Sequence, residues 1–169
     1  MHSRKTPVVS FYANILAFDG YYEKKWFPYT MPISDIYGLR QAFDNIKNDP
    51  YMLERHAKIG NAVRAAVKEA GLELYQETGF SNTVTVFNVP EGTTDTAILT
   101  AMKEKCNIML AGSFGAFAGK VIRIGHMGEN AYPEKVGAVM AGLDLVFKDL
   151  GITLKCSLKE AYDRKMSEQ

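Results

Sequence analysis

The chain has 169 residues, enough for one domain with a real hydrophobic core, or one domain and a fraction. Hydrophobic residues at 47% and charged residues at 23% are globular values, and a formal net charge of +1 with scattered basic residues offers no field for nucleic acid. Two cysteines, Cys106 and Cys156, make neither a disulfide framework nor a metal cluster.

In chain order, residues 8–19 are apolar with Ser10, Asn14 and Asp19 interspersed, and a helix is expected there. Arg4 and Lys5 precede this run, but Pro7 and Asn14 interrupt it and no small-residue cleavage pattern follows, so it does not read as a signal peptide. Residues 20–32 carry Tyr21, Tyr22, Trp26, Phe27 and Tyr29 with Pro28 and Pro32, the composition of a structured loop. Ser34 is the expected cap of a helix with Ile36, Leu39, Phe43 and Ile46 on one stripe. Asn48-Asp49-Pro50 ends it. A further helix runs from Tyr51 to Ala70, with Ile59, Val63, Ala66 and Val67 on one face and Gly71 as its stop.

The pattern then changes. Leu72–Tyr75 and Thr83–Val89 read as strands. Thr94 caps a helix with the stripe Ile98, Leu99, Met102 and Cys106. Ile108–Ala111 and Val121–Gly125 read as short strands around a glycine-rich loop. Asn130 is the expected cap of the last large helix, which carries Val136, Val139, Met140, Leu143, Phe147 and Leu150 and stops at Gly151. Residues 152–169 are a short strand-like piece and a charged, helical tail. The expected architecture is α+β: a small, mostly antiparallel sheet packed with helices over residues 51–151, with 152–169 as its tail. Residues 1–50 are expected to be a helical interface segment: residues 8–50 carry many aromatics and no strands to pack on, so they are expected to cover a partner subunit or a missing domain. No stretch is long enough to span a bilayer; the best, Val136–Phe147, is broken by Asp144. A cytoplasmic location is expected.

Residues 121–128 read Val-Ile-Arg-Ile-Gly-His-Met-Gly, and Arg123 is the residue with chemistry to explain. A guanidinium stays protonated, so on a buried strand it needs an anion, and its flat fork of donors matches a carboxylate or phosphate. Upstream, Gly112-Ser-Phe-Gly115-Ala-Phe-Ala-Gly119-Lys120 leaves open space. Two readings stand: a site for a small carboxylate, or an arginine paired with a structural Asp or Glu or reaching to water. The loop is neither a P-loop, since Phe114 stands at the first glycine and Val121 follows Lys120, nor a dinucleotide fingerprint, since its spacing differs and a strand follows it. His2, His56 and His126 lack metal-ligand spacing, and no Gly-x-Ser-x-Gly elbow is present. His126 is expected to face solvent or pack a loop, Glu134 and Asp144 to be solvated charges, and the aromatics at 21–29 to be packing.

Four stretches, the last of them the closing helix that follows the glycine loop at the expected distance, resemble the class V, fold-type-I pyridoxal-phosphate aminotransferases of the serine–pyruvate and alanine–glyoxylate kind. Residues 1–14 look like the segment that follows their lysine-bearing region. Pro28-Tyr-Thr-Met-Pro32 through Tyr37-Gly-Leu-Arg40 resembles their Thr-x-Pro…Tyr-x-Leu-Arg stretch. Gly112 through Gly128 resembles their Gly-Gly-x-Gly…Gly-Lys-x-x-Arg-Ile-Gly-x-x-Gly, with Ser113 in place of the second glycine. The resemblance covers residues 1–150 and implies the C-terminal domain of that fold, preceded by interface helices. It implies that Arg123 grips the carboxylate of a small amino acid or 2-oxo acid. It implies that Thr30 reaches the cofactor phosphate across a homodimer; Phe27 stands where the family has a tyrosine, and nearby Tyr29 is the substitute candidate. The family's Schiff-base lysine, in a Ser-x-x-Lys motif, has no counterpart here, and neither Lys5 nor Lys120 takes its place. This chain alone is therefore expected to lack activity and not to bind pyridoxal phosphate. The alternatives are a dimerisation or interaction module from a truncated or split gene, associating with itself or a missing N-terminal half, and a free-standing carboxylate-binding domain.

Overall fold

The computed structural model describes residues 5–168; His2, Arg4 and the start of the 1–14 stretch lie outside the described residues. The chain divides into two compact units, Met1–Asp49 and Pro50–Gln169.

In the first unit the helix expected over 8–19 shrinks to a 3₁₀ turn, Ile15–Phe18. Its polar residues are the cause. The Asn14 side chain accepts the Leu16 N–H at 3.1 Å and the Ser10 hydroxyl accepts the Ala13 N–H at 3.1 Å, so side chains take the donors a helix would use. A single helical turn, α1 (Tyr21–Lys24), follows, ended by Lys25 in the left-handed region at φ 53°. Helix α2 (Ile33–Lys47) starts directly after Pro32, which leaves Ser34 inside the first turn rather than at the cap. None of the described residues of this unit is buried.

The second unit has a true core. Helix α3 (Met52–Glu69) buries Ile59, Val63, Ala66 and Val67. It ends where Gly71, at φ +85°, lets the Leu72 N–H reach back to the Val67 carbonyl at 3.0 Å. Strands β1 (Val84–Asn88) and β2 (Val121–Gly125) pair antiparallel, with Val86 opposite Arg123 and Phe87 opposite Ile122. Alternation places Thr85, Phe87, Ile122 and Ile124 on the buried face. Helix α4 (Asp95–Cys106) adds Ile98 and Met102, and Thr94 caps it by accepting the Ala97 N–H at 3.2 Å. Helix α5 (Pro133–Asp149) adds Val136, Met140, Leu143, Val146 and Phe147. It is started by Pro133 behind Tyr132; Asn130, the expected cap, closes a separate 3₁₀ turn instead. Helix α6 (Leu158–Ser167) buries Leu158, Ala161 and Tyr162 and packs on α3 and α5.

The result is the expected α+β layer of helices on an antiparallel sheet, with a narrower sheet. The segments 72–75 and 108–111 join it only through the single bridges Leu74–Phe87 and Ala111–Arg123. For 108–111 the reason is local: the Ile108 N–H turns back to the Met102 carbonyl at 3.1 Å, closing the end of α4 instead of extending the ladder. No described helix is long and apolar enough to cross a membrane.

Candidate functional site

Arg123 stands at the centre of β2, on the sheet face turned away from the core. Val86 faces it on one side and Ala111 on the other, so its neighbours across the sheet are small and apolar. It is half-buried rather than buried. Its backbone N–H donates to the Ala111 carbonyl at 2.7 Å, and its side-chain Nε–H donates to the Gly112 carbonyl at 2.6 Å. Main chain and side chain together clasp the start of the glycine-rich loop, which fixes the direction of the fork. No carboxylate among the described residues lies within ion-pair distance of the guanidinium. Of the two readings of Arg123, the structural Asp or Glu partner is absent among the described residues, while its half-burial is compatible with the other form of that reading, a side chain reaching to water.

The loop is shaped by its glycines. Gly115 and Gly119 take φ +61° and +76°, where a side chain is strained. Gly112 is needed for close approach: a Cβ there would lie 3.2 Å from Asp95 Oδ2. Asp95 begins α4 and accepts the Thr96 N–H at 2.7 Å, so the helix N-terminus beside the loop already holds an anion. That disfavours a phosphate at this position.

A cleft of about 730 Å³ opens beside Arg123 where 108–111 parts from β2. Val84, Ile108, Met127, Val136 and Val139 line it, and Lys135 sits on its rim with Nζ donating to the Glu129 carbonyl. Electrostatically the lining is cationic and apolar, suited to a small carboxylic acid.

His126, three residues beyond Arg123, is fully buried, not solvent-facing. Its Nδ1 lies 3.1 Å from the Asn82 carbonyl and must carry the proton, so Nε2 accepts the Thr85 hydroxyl at 2.9 Å. Burial pushes its pKa down to about 4. It is a neutral latch behind the site rather than a ligand, and no metal-holding cluster exists among the described residues. Asp144, expected as a solvated charge, instead accepts the backbone N–H groups of Leu158 and Lys159 and the Ser157 hydroxyl, anchoring α6. Glu134 is exposed, as expected.

Thr30 and Tyr29 belong to the first unit and Arg123 to the second. Thr30 is exposed, in the irregular stretch before α2. Tyr29 donates its hydroxyl proton to the Phe11 carbonyl at 2.7 Å, and its ring stacks on Tyr12 at 5.3 Å. Phe27 packs edge-on against Phe18 at 5.4 Å. Phe27 and Tyr29 pack among neighbouring aromatics, as expected, whereas Tyr22 and Trp26 are mostly exposed, and the Tyr29 hydroxyl proton is committed to Phe11. The roles of the Gly112 carbonyl, Asp95 and Lys135 had no local sequence signal; each depends on residues brought together only by folding.

No family model matches the chain. Among curated proteins, an uncharacterized aminotransferase of Methanocaldococcus jannaschii is 38% identical over 151 residues, 87% of this chain and 39% of its own length. The serine–glyoxylate aminotransferase of Arabidopsis thaliana is 36% identical over 130 residues, 75% of this chain and 32% of its own. Among solved structures, ureidoglycine–glyoxylate aminotransferase from Bacillus subtilis superimposes with a TM-score of 0.89 at 26% identity, over 99% of this chain and 44% of that one. Pyridoxamine–pyruvate aminotransferase from Mesorhizobium loti gives 0.81 at 28% identity, over 91% and 41%. The chain thus spans between 32% and 44% of the length of these relatives.

Proposed function

Because the chain belongs with the class V aminotransferases, matching their C-terminal part in sequence and fold, we propose that it supplies the substrate-carboxylate clamp of such an enzyme. The assembled enzyme would move an amino group between a small amino acid of the alanine or serine type and a 2-oxo acid of the glyoxylate or pyruvate type. The observation that supports this is Arg123: a guanidinium aimed by Gly112, on an open apolar sheet face, with no carboxylate partner among the described residues.

Its task is positioning. Two parallel N–H···O bonds from the terminal nitrogens would hold the α-carboxylate in a fixed plane and so set where the neighbouring α-carbon and nitrogen lie. The glycines leave room for the backbone of the acid, and the apolar neighbours keep the charged pair from full solvation, which strengthens it.

Pyridoxal phosphate is the cofactor of these relatives in general. The described residues do not make up a bed for it. Thr30 is a single exposed hydroxyl, Tyr29 is committed to Phe11, and the helix start beside the glycine loop holds Asp95. In this reading the Schiff-base lysine and the phosphate cradle come from the rest of the enzyme, with Thr30 contributed across a homodimer, and this chain by itself neither binds the cofactor nor reacts.

The test is a chimaera in which this chain replaces the matching part of the Arabidopsis serine–glyoxylate enzyme. Transamination by the chimaera, with no aldimine absorption band when the cofactor is added to this chain alone, supports the reading. An inactive but folded chimaera, or a band from the chain alone, counts against it. A second reading, a non-catalytic interaction module, draws on the absence of any buried residue among the described residues of the first unit.

A further inference from the structure

The cleft beside Arg123 is larger than a clamp for small acids requires. Its volume of about 730 Å³ is in the range that holds a drug-sized ligand. Glyoxylate or serine, gripped by the guanidinium, would leave most of it unfilled. Two local features open it. The Ile108 N–H turns back to the Met102 carbonyl, so 108–111 bridges β2 only at Ala111–Arg123. Gly125 follows Arg123 by two positions, on the same sheet face, and pairs with Val84. Its backbone is ordinary strand, and a Cβ added there would meet nothing within 4 Å. No backbone strain calls for a glycine at 125; its effect is to leave space next to the arginine.

The walls around that space are aliphatic: Val84, Ile108, Val136 and Val139, with no Asp or Glu in the lining. Lys135 on the rim is engaged by the Glu129 carbonyl and the Tyr132 ring. Arg123 is the lining cation with donors to spare. Its Nε–H is used by the Gly112 carbonyl, and its two terminal nitrogens make no hydrogen bond among the described residues. The cleft therefore combines a receptor for one carboxylate with an apolar surface beside it. That pairing recognises an acid with a hydrocarbon tail.

We propose that this site also takes monocarboxylic acids with an aliphatic side chain, of the leucine or norleucine size. The carboxylate sits on Arg123, and the tail lies over Gly125 against Val84, Val136 and Val139. The inference rests on the clamp reading and extends its substrate class from the small acids to aliphatic ones. A second carboxylate or an ammonium on the tail has no partner in the aliphatic lining, so charged side chains are selected against.

The experiment titrates this full chain with acetate, butanoate and hexanoate, and with hexylamine as control, followed by valine and isoleucine methyl shifts in NMR. A fully buried methylene is worth about fourfold in affinity, so even an open cleft should bind hexanoate roughly tenfold or more tighter than acetate. The shifts should centre on Val84, Val136 and Val139, and hexylamine should not compete. Arg123→Ala should weaken every acid by about tenfold or more. Gly125→Leu fills the space and should bring hexanoate down to the acetate level, with amide exchange in α5 unchanged; the series on the unmodified chain decides even where that variant does not fold. Hexanoate that fails to bind, or binds no better than acetate while Arg123→Ala still weakens both, would overturn this inference and leave the clamp. Hexylamine binding as well as hexanoate would overturn it too. Acids indifferent to Arg123→Ala would overturn the clamp and this inference together.

Discussion

Arg123 and Gly112 are joined side chain to main chain, Nε–H to carbonyl, at 2.6 Å. One donor of the guanidinium is used to aim the others, so the strand and the glycine loop act as one piece around it. The two residues lie eleven apart in sequence, and the Ala111 bridge brings them together.

A first prediction concerns Gly112. An added Cβ would sit 3.2 Å from Asp95 Oδ2 and 3.5 Å from Leu99 Cδ1, so the Asp95 carboxylate or the loop must give by a few tenths of an ångström. Gly112→Ala in the chimaera should raise KM for the amino acid several-fold with kcat little changed, because it re-aims a binding group rather than a reacting one. Steady-state kinetics check this; a fall in kcat at constant KM would be the wrong outcome.

His126 gives the second. Its folded pKa of about 4 lies below the unfolded value near 6.5, so the unfolded chain binds the extra proton first as pH falls. The stabilisation is fully present above pH 6.5 and is lost as pH drops toward 4, by about 3 kcal/mol at most. Urea melts of the second unit at pH 7, 5.5 and 4.5 should show this slope, and His126→Gln should flatten it. Thr85→Val, which removes the hydroxyl donor to Nε2, should cost about 1 kcal/mol at pH 7.

Asp144 gives the third. Its carboxylate accepts the Leu158 N–H at 2.7 Å, the Lys159 N–H at 3.0 Å and the Ser157 hydroxyl at 2.6 Å, an N-terminal anchor supplied from another helix. Asp144→Ala should cost about 1–2 kcal/mol and speed amide exchange in the first turn of α6. Asp144→Asn should retain part of the effect; exchange unchanged in both variants would show that the anchor carries no weight.

Much of the fold was legible where the signals are local. The α3 and α5 stripes, the Thr94 cap and the stops at Gly71 and Gly151 are set by residues within a turn or two of one another. Strand content was less legible, because pairing depends on distant partners: 108–111 has strand composition, yet Ile108 is drawn back to Met102. Asp144 was misread, and of the two expectations for His126 only packing on a loop, at the Asn82 carbonyl, held and not exposure to solvent, since the groups they meet lie 13 or more residues away. Of the candidate site, the arginine itself was visible as a charge on an apolar strand. The carbonyl that aims it was not.

The clamp is tested most directly by Arg123→Ala in the chimaera, with serine and glyoxylate affinities measured beside the unmodified chimaera and Arg123→Lys. Hydrogen bonds to a charged group contribute about 1.5–3 kcal/mol, so affinity for both acids should fall ten- to a hundredfold or more. Lysine should recover only part of it, lacking the fork. An Arg123→Ala chimaera that folds and binds both acids as tightly as before would contradict the clamp.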